Sequence, residues 1–242
     1  IRDFRSRTSS GTEPDHGYAR AVKRVVIVGN SDGIGLALTR RLLDDGWTVT
    51  GISRRDSGIA HERYSHRTAD VTDPDYPPGD LGAVDVCVYC AGVGELFDVD
   101  DLSSQTQALQ VNLIGAARTV EAVVPGMIAA GGGHFVGLSS LADVTISGEA
   151  FGYAASKAGL STYLLGLRMA LRPHGVAVTT VRFGFVDTKM AKGAIRPLII
   201  PVDEAVDVVM RCIRRRPAVV SYPRLMSVAS RVLRLATRVA LR

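Results

Sequence analysis

From residue 24 onward, short apolar or β-branched runs alternate with longer stretches in which apolar residues recur every three or four positions. The runs at 25–28, 48–52, 84–90, 133–138, 176–181 and 218–222 have the length of strands, and 64–69 is a more polar seventh candidate. Between them, 33–45 carries Ile34, Ala37, Leu38 and Leu42 at helical spacing, and 105–130 carries Leu109, Leu113, Ala116, Val120, Val123 and Val124. The segments 153–171, closed by Pro173, and 203–213 read as further helices. This alternation predicts an α/β fold: one doubly wound parallel sheet of about seven strands, flanked by helices on both faces. No repeat and no second-domain boundary interrupts it. Only 15 residues separate Arg54 from Asp70, so the helix connecting those strands is expected to be short or absent.

The two ends of the chain do not share the pattern. Residues 1–22 are polar, dotted with Gly, Ser and Pro, and aperiodic; they read as a flexible arm, native or foreign to the natural chain. The catalytic unit is then 23–223, followed by 224–242. There Arg224, Arg231, Arg234, Arg238 and Arg242 form one helical stripe, and Val228, Val232, Leu235 and Val239 another. Such a basic amphipathic helix can dock on its own core, make peripheral contact with an anionic membrane surface, or cover an acidic partner or the substrate cleft.

Composition narrows the classes. The chain has 242 residues, 46% hydrophobic and 22% charged, which excludes overall disorder, and 10 Pro exclude collagen. The net charge of +5 is uneven: residues 211–242 hold nine Arg and no acid, so the other 210 residues sum to −4. With an acidic domain and no aromatics among the arginines, nucleic acid is not an expected partner. No uninterrupted run of about 18 apolar residues predicts a membrane span, and no secretory signal is visible. Three Cys point to a reducing compartment, hence a cytoplasmic protein. Cys87 and Cys90 sit three apart on a strand, where side chains face opposite sides, so buried thiols are expected rather than a redox or zinc pair. The five His show no ligand spacing, and no metal is expected.

Gly29-Asn30-Ser31-Asp32-Gly33-Ile34-Gly35 follows the first strand and opens the first helix. Gly29 permits the turn, Gly33 lets backbone N–H groups approach a pyrophosphate at the helix N-terminus, and Gly35 permits close helix–sheet packing. The second strand ends in Ser53-Arg54-Arg55. An acid there would accept a hydrogen bond from the 2′-hydroxyl of NAD. Ser53 is neutral toward a 2′-phosphate, and Arg54 can pair with one bidentately. The expected cofactor is NADP (NADPH), with NAD the alternative. Tyr153 and Lys157 are four apart, on one face of a helix.

With these motifs in place, the chain resembles the short-chain dehydrogenase/reductase family from about 23 to 222. The resemblance rests on Gly29/Gly33/Gly35, Asp70-Val71, Cys90-Ala91-Gly92, Asn112, Ser139-Ser140, Tyr153/Lys157 and Gly184-Phe185-Val186-Asp187-Thr188, in that order. Ser140 lies 13 residues before Tyr153, the family's usual interval. The resemblance implies a Rossmann-like fold and an oxidoreductase. In it Tyr153 is the general acid or base, Lys157 holds the nicotinamide ribose and lowers the Tyr153 pKa, Ser140 bonds the substrate oxygen, and Asn112 holds a water in the proton relay. It also implies that Asp70 and Val71 touch adenine, Cys90, Ala91 and Gly92 line the cofactor's middle, and Gly184, Val186 and Thr188 meet the nicotinamide. Dimers or tetramers built on the two long helices are implied as well. The chemistry needs these types: hydride transfer builds charge on oxygen, which a donor stabilises, and a tyrosine of pKa ~10 needs a nearby cation to work near neutrality.

Four positions depart from the family pattern: Val28 for Thr, Asp32 where NADP-preferring members often carry a base, Cys90 for Asn, and Phe183 for Pro. Asp32 weakens the case for NADP. The substrate walls are expected from 141–151 and 184–202, through Leu141, Val144, Ile146, Phe151, Phe185, Met190, Ile195, Leu198, Ile199 and Ile200. They suit a largely apolar carbonyl or secondary alcohol. Lys189, Lys192 and Arg196 are expected to be solvated or to meet an acidic substrate tail. Two other functions stay open: a regulatory relative that binds dinucleotide without turnover, and a membrane-associated lipid or steroid-type reductase.

Overall fold

Val25–Val28 alternates its side chains between two apolar layers, and that alternation organises the whole molecule. The structure is a computed structural model that describes residues 23–77, 79–190 and 198–226. The strands are β1 Arg24–Val28, β2 Thr48–Ser53, β3 Tyr64–Thr68, β4 Val86–Tyr89, β5 Gly133–Ser140, β6 Val176–Phe183 and β7 Val219–Tyr222. They form one parallel sheet in the order β3-β2-β1-β4-β5-β6-β7. The order reverses between β1 and β4, which opens a crevice at the strands' C-terminal ends.

Val25 and Ile27 point into a layer with Leu38 and Leu42 of helix α1 (Gly33–Asp44) and Val206 and Val209 of α5 (Val202–Arg215). Val26 and Val28 point into the opposite layer, with Val120 and Val123 of α3 (Gly115–Ala129) and Leu160 and Leu164 of α4 (Phe151–Leu171). Each such side chain, fully buried, contributes roughly 1.5–3 kcal/mol. Cys87 belongs to the second layer and Cys90 packs against the first, so they do face opposite sides. No helix joins β2 to β3 among the described residues.

Two expectations change. The helix foreseen at 105–130 is α2 (Ser103–Leu109), one π-helical turn (Gln110–Ile114) and α3. Helical periodicity does not reveal a one-residue bulge, although such bulges gather at functional sites. The stretch Ser103–Ala129 is apolar and long enough to cross a membrane by length alone, yet half of it is buried inside the fold. It is a core helix here. β5 and β6 also run two residues further than their apolar runs, carrying Ser139, Ser140, Arg182 and Phe183 to the edge of the crevice. The amphipathic segment expected at 224–242 lies outside the described residues beyond Met226, as does the arm at 1–22.

Candidate functional site

The crevice holds a cleft of about 1600 Å³. Single small-molecule sites span about 300–1000 Å³, so this one has room for two ligands end to end. One end is formed by the loop between β1 and α1. Gly29 has φ +84°, and a Cβ there would lie 2.5 Å from the backbone nitrogen of Ala91. A Cβ on Gly35 would lie 2.1 Å from the carbonyl oxygen of Gly29. The loop thus lies flat on the strand ends only because these residues have no side chain. Ser31, Asp32, Gly33 and Ile34 complete its wall of the cleft.

Charged groups ring this end. Asp32 caps α1, accepting the Gly33 N–H at 2.8 Å, and its second oxygen lies 2.8 Å from Lys189 Nζ and 3.9 Å from Arg55 Nη2. The bond from Lys189, then that from Gly33, holds the carboxyl below the usual range. Lys189 pairs with Asp32 at the cleft wall while 84% of its side chain stays exposed, so it is solvated as one of the two sequence readings had it. Arg54, well exposed, sits 3.8 Å from Asp70. Ser53 turns inward: its hydroxyl donates to Asn30 Oδ1 at 3.1 Å and to the Arg55 carbonyl at 2.8 Å. Asn30 is fully buried and donates to Tyr64 Oη at 2.7 Å, so the floor under this end is a polar network invisible to local pattern.

At the other end, β5 delivers Ser140, and α4 delivers Tyr153 and Lys157. Ser140 Oγ accepts from Ala142 N–H at 3.1 Å. Lys157 is 4% exposed, its Nζ donates to the Leu138 carbonyl at 2.9 Å, and it stands 5.7 Å from the centroid of the Tyr153 ring. Burial pushes the ammonium down to about 8. The expected lowering of the Tyr153 pKa is not what the protein alone produces. Burial of the phenol raises it, the hydrogen bond with Ser140 pulls it down, and the charge of Asp143 raises it again. Lysine's cation is itself weakened by the same dry surroundings.

Each residue assigned from sequence to the cofactor lines this cleft, including Asp70, Val71, Cys90, Ala91, Gly92, Gly184, Val186 and Thr188, and so do Ser140, Tyr153 and Lys157. Asn112 does not. It is fully buried in the π-helical turn, donates to the Val93 carbonyl at 2.8 Å and Ser156 Oγ at 2.9 Å, and accepts from Val93 N–H at 2.8 Å. Its two amide hydrogens tie the loop after β4 to α4, so a relay water would be held there by donating to Asn112 rather than by accepting from its side chain.

Of the expected substrate walls, Leu141, Phe185, Met190 and Leu198 line the cleft. Val144, Ile146, Phe151, Ile199 and Ile200 do not; Ile200 is core and bridges to Val186. Ile195, Lys192 and Arg196 lie outside the described residues. Sequence reading missed the loop 93–97, which adds Val93, Leu96 and Phe97; Leu225 and Met226, at the start of the segment read as able to cover the cleft, line it as well. A Cβ on Gly184 would lie 2.6 Å from Met226 Sδ, so that segment folds over the turn after β6. The loop 93–97 has no periodic pattern to betray it.

The chain matches the short chain dehydrogenase family over residues 23–197. It is 32% identical over 231 residues, 87% of this chain and 91% of the other, to an uncharacterized oxidoreductase of Myxococcus xanthus. It is 28% identical to the 3-oxoacyl-acyl-carrier-protein reductase MabA of Mycobacterium avium, covering 79% of this chain and 78% of that one. The crystal structure of a short chain dehydrogenase from Burkholderia cenocepacia in complex with NADP superposes with a TM-score of 0.77 at 25% identity, over 91% of this chain and 95% of that chain.

Proposed function

The chain belongs to the short-chain dehydrogenase family of oxidoreductases, and we propose that it transfers hydride between NADP(H) and a carbonyl or secondary alcohol on a largely apolar small molecule. The observation that carries this reading is one cleft with a glycine-built phosphate cradle at one end and Ser140, Tyr153 and Lys157 at the other. The bound nicotinamide supplies or accepts the hydride. Ser140 donates to the substrate oxygen and stabilises the charge that develops on it. Tyr153 delivers the proton in reduction and takes it in oxidation. Lys157 holds the ribose and shares its positive charge with the phenol, and Asn112 braces the two segments that frame them.

For the cofactor, the N–H groups around Gly29, Gly33 and Gly35 hold the pyrophosphate, with Ser31 and Ile34 beside them. Arg54 and Arg55 take the 2′-phosphate. Asp32 does not oppose that phosphate as its charge alone suggests, because Lys189 and Arg55 already neutralise it. The NADP in the Burkholderia structure supports the same choice. Asp70 and Val71 meet adenine, and Val186 and Thr188 the carboxamide. The exposed Leu109, Ile114, Leu165 and Met169 on α2, the π-helical turn and α4 support a homo-oligomer, which light scattering would refute by a monomer's mass. The test of the activity is NADPH oxidation across a panel of apolar ketones and aldehydes. Turnover of at least one is the expected result; tight NADPH binding with no turnover of any would favour the regulatory reading.

A further inference from the structure

Directly after Ser140, the turn Leu141–Val144 carries Asp143, which lines no part of the cleft. Its carboxylate is nearly inaccessible and is gripped by both Nε, at 2.6 Å, and Nη2 of Arg182 on β6. It also accepts from Ser161 Oγ of α4 at 2.6 Å. Ser161 Oγ, its proton on Asp143, lies 2.7 Å from Ser139 Oγ, whose single proton is shared between Ser161 Oγ and the Lys157 carbonyl at 3.1 Å. Arg182 is the register partner of Ser139 and reaches Ser221 Oγ on β7 at 3.3 Å. One carboxylate thus joins the turn behind Ser140 to β6 and α4, and through two serines to the backbone of Lys157. A buried pair of this kind is poor value for stability alone, since apolar residues of the same volume serve as well or better.

We propose that Asp143, held by Arg182, is a positioning residue for Ser140 and Tyr153: it anchors the turn that follows Ser140 and sets the charge felt by the Tyr153 hydroxyl. The inference rests on Tyr153 being the proton donor. Four charged or titratable groups face Tyr153 or share its end of the cleft besides Asp143 and Arg182. Lys157 lies one turn along α4 and Cys90 lies beside it. Glu95 follows Gly94, which packs on the ring of Tyr153, and Glu149 precedes α4. Burial raises the phenol most, and the carboxylate of Asp143 also pushes it up.

The experiment titrates tyrosinate absorbance in the full chain, each protein measured against its own Tyr153→Phe counterpart so that Tyr153 alone is read. Removing the carboxylate makes the phenolate easier to form, so the midpoint of Asp143→Asn moves to lower pH by about one unit, a tenfold change in ionisation constant. The pH limb of kcat/KM for alcohol oxidation moves with it, and kcat falls more than KM rises. Asp143→Asn leaves Arg182 buried and unpaired and can fail to fold. The double variant Asp143→Asn/Arg182→Gln buries no charge and removes a neutral pair, so its midpoint moves less, but with the anchor gone its kcat must still fall more than its KM rises. A double variant that folds and melts lower, yet keeps wild-type kcat and KM, reduces the pair to structure and overturns the proposal. If the midpoint falls but Tyr153→Phe keeps wild-type turnover, the acid–base reading fails instead.

Discussion

The two ends of the cleft handle charge in opposite ways. At the catalytic end Lys157, Asp143 and Arg182 are all buried, and each is locked by short hydrogen bonds. At the phosphate end Arg54, Arg55 and Lys189 expose most of their side chains, and their pairs with Asp70 and Asp32 are half in water. Buried charges interact strongly and shift one another's ionisation; exposed pairs are screened and contribute about 0–1 kcal/mol. On the proposed function, the catalytic end is a fixed field around one proton, and the phosphate end is a set of solvent-exposed cations, paired with carboxylates, that a ligand's phosphate would draw on.

Lys157→Met should break the fixed end most. The buried ammonium has a folded pKa of about 8 against an ordinary 10.5, so the unfolded chain binds the proton more tightly. Stability then rises with pH between those values, and below about 8 the charge costs roughly 3 kcal/mol. Met removes that cost together with one hydrogen bond worth about 1 kcal/mol. The variant should be inactive yet more stable at pH 7 by about 1–3 kcal/mol in urea unfolding, with the gain gone near pH 10.5. A destabilised variant at neutral pH would mean that the ammonium is better solvated than its surroundings suggest.

Arg54→Ala probes the exposed end. It should weaken NADPH binding by about 1.5–3 kcal/mol, the scale of hydrogen bonds to a charged group, and leave NADH nearly unchanged. Equal weakening of both would show that Arg54 does not read the 2′-phosphate, and a wild type that prefers NADH would make NAD the cofactor. The smallest effect is expected from Lys189→Ala. Its unfolding free energy should stay within about 1 kcal/mol of wild type, while NADPH binding weakens modestly and becomes less salt-sensitive, because one cation near the phosphate is gone and the charge of Asp32 is no longer offset by it. Loss of several kcal/mol of stability would place Lys189 with the buried set and erase the contrast.

That contrast was only partly legible in the sequence. The strands and the glycine loop are local signals: Val25–Val28 alternates between layers, and Gly29, Gly33 and Gly35 stand where a side chain would collide. Tyr153 and Lys157 are one helical turn apart, so a spacing of four locates both. What sequence hides is contact between distant residues. Asp143 and Arg182 lie 39 positions apart, and each alone looks like an ordinary surface charge. Asn30, Ser53 and Tyr64 meet only once three segments converge. The loop 93–97 lines the cleft without any periodicity. The helical spacing shows Lys157 near Tyr153 but not how dry their shared pocket is, and that burial by itself raises the phenol and lowers the ammonium.

The central claim is that Tyr153 moves the proton, and one comparison tests it most directly: steady-state turnover of Tyr153→Phe against wild type on a substrate identified in the ketone panel, with NADPH affinity measured in parallel. The account predicts a fall in kcat of about 10²–10⁴-fold with NADPH affinity nearly unchanged. Turnover within about twofold of wild type would contradict it.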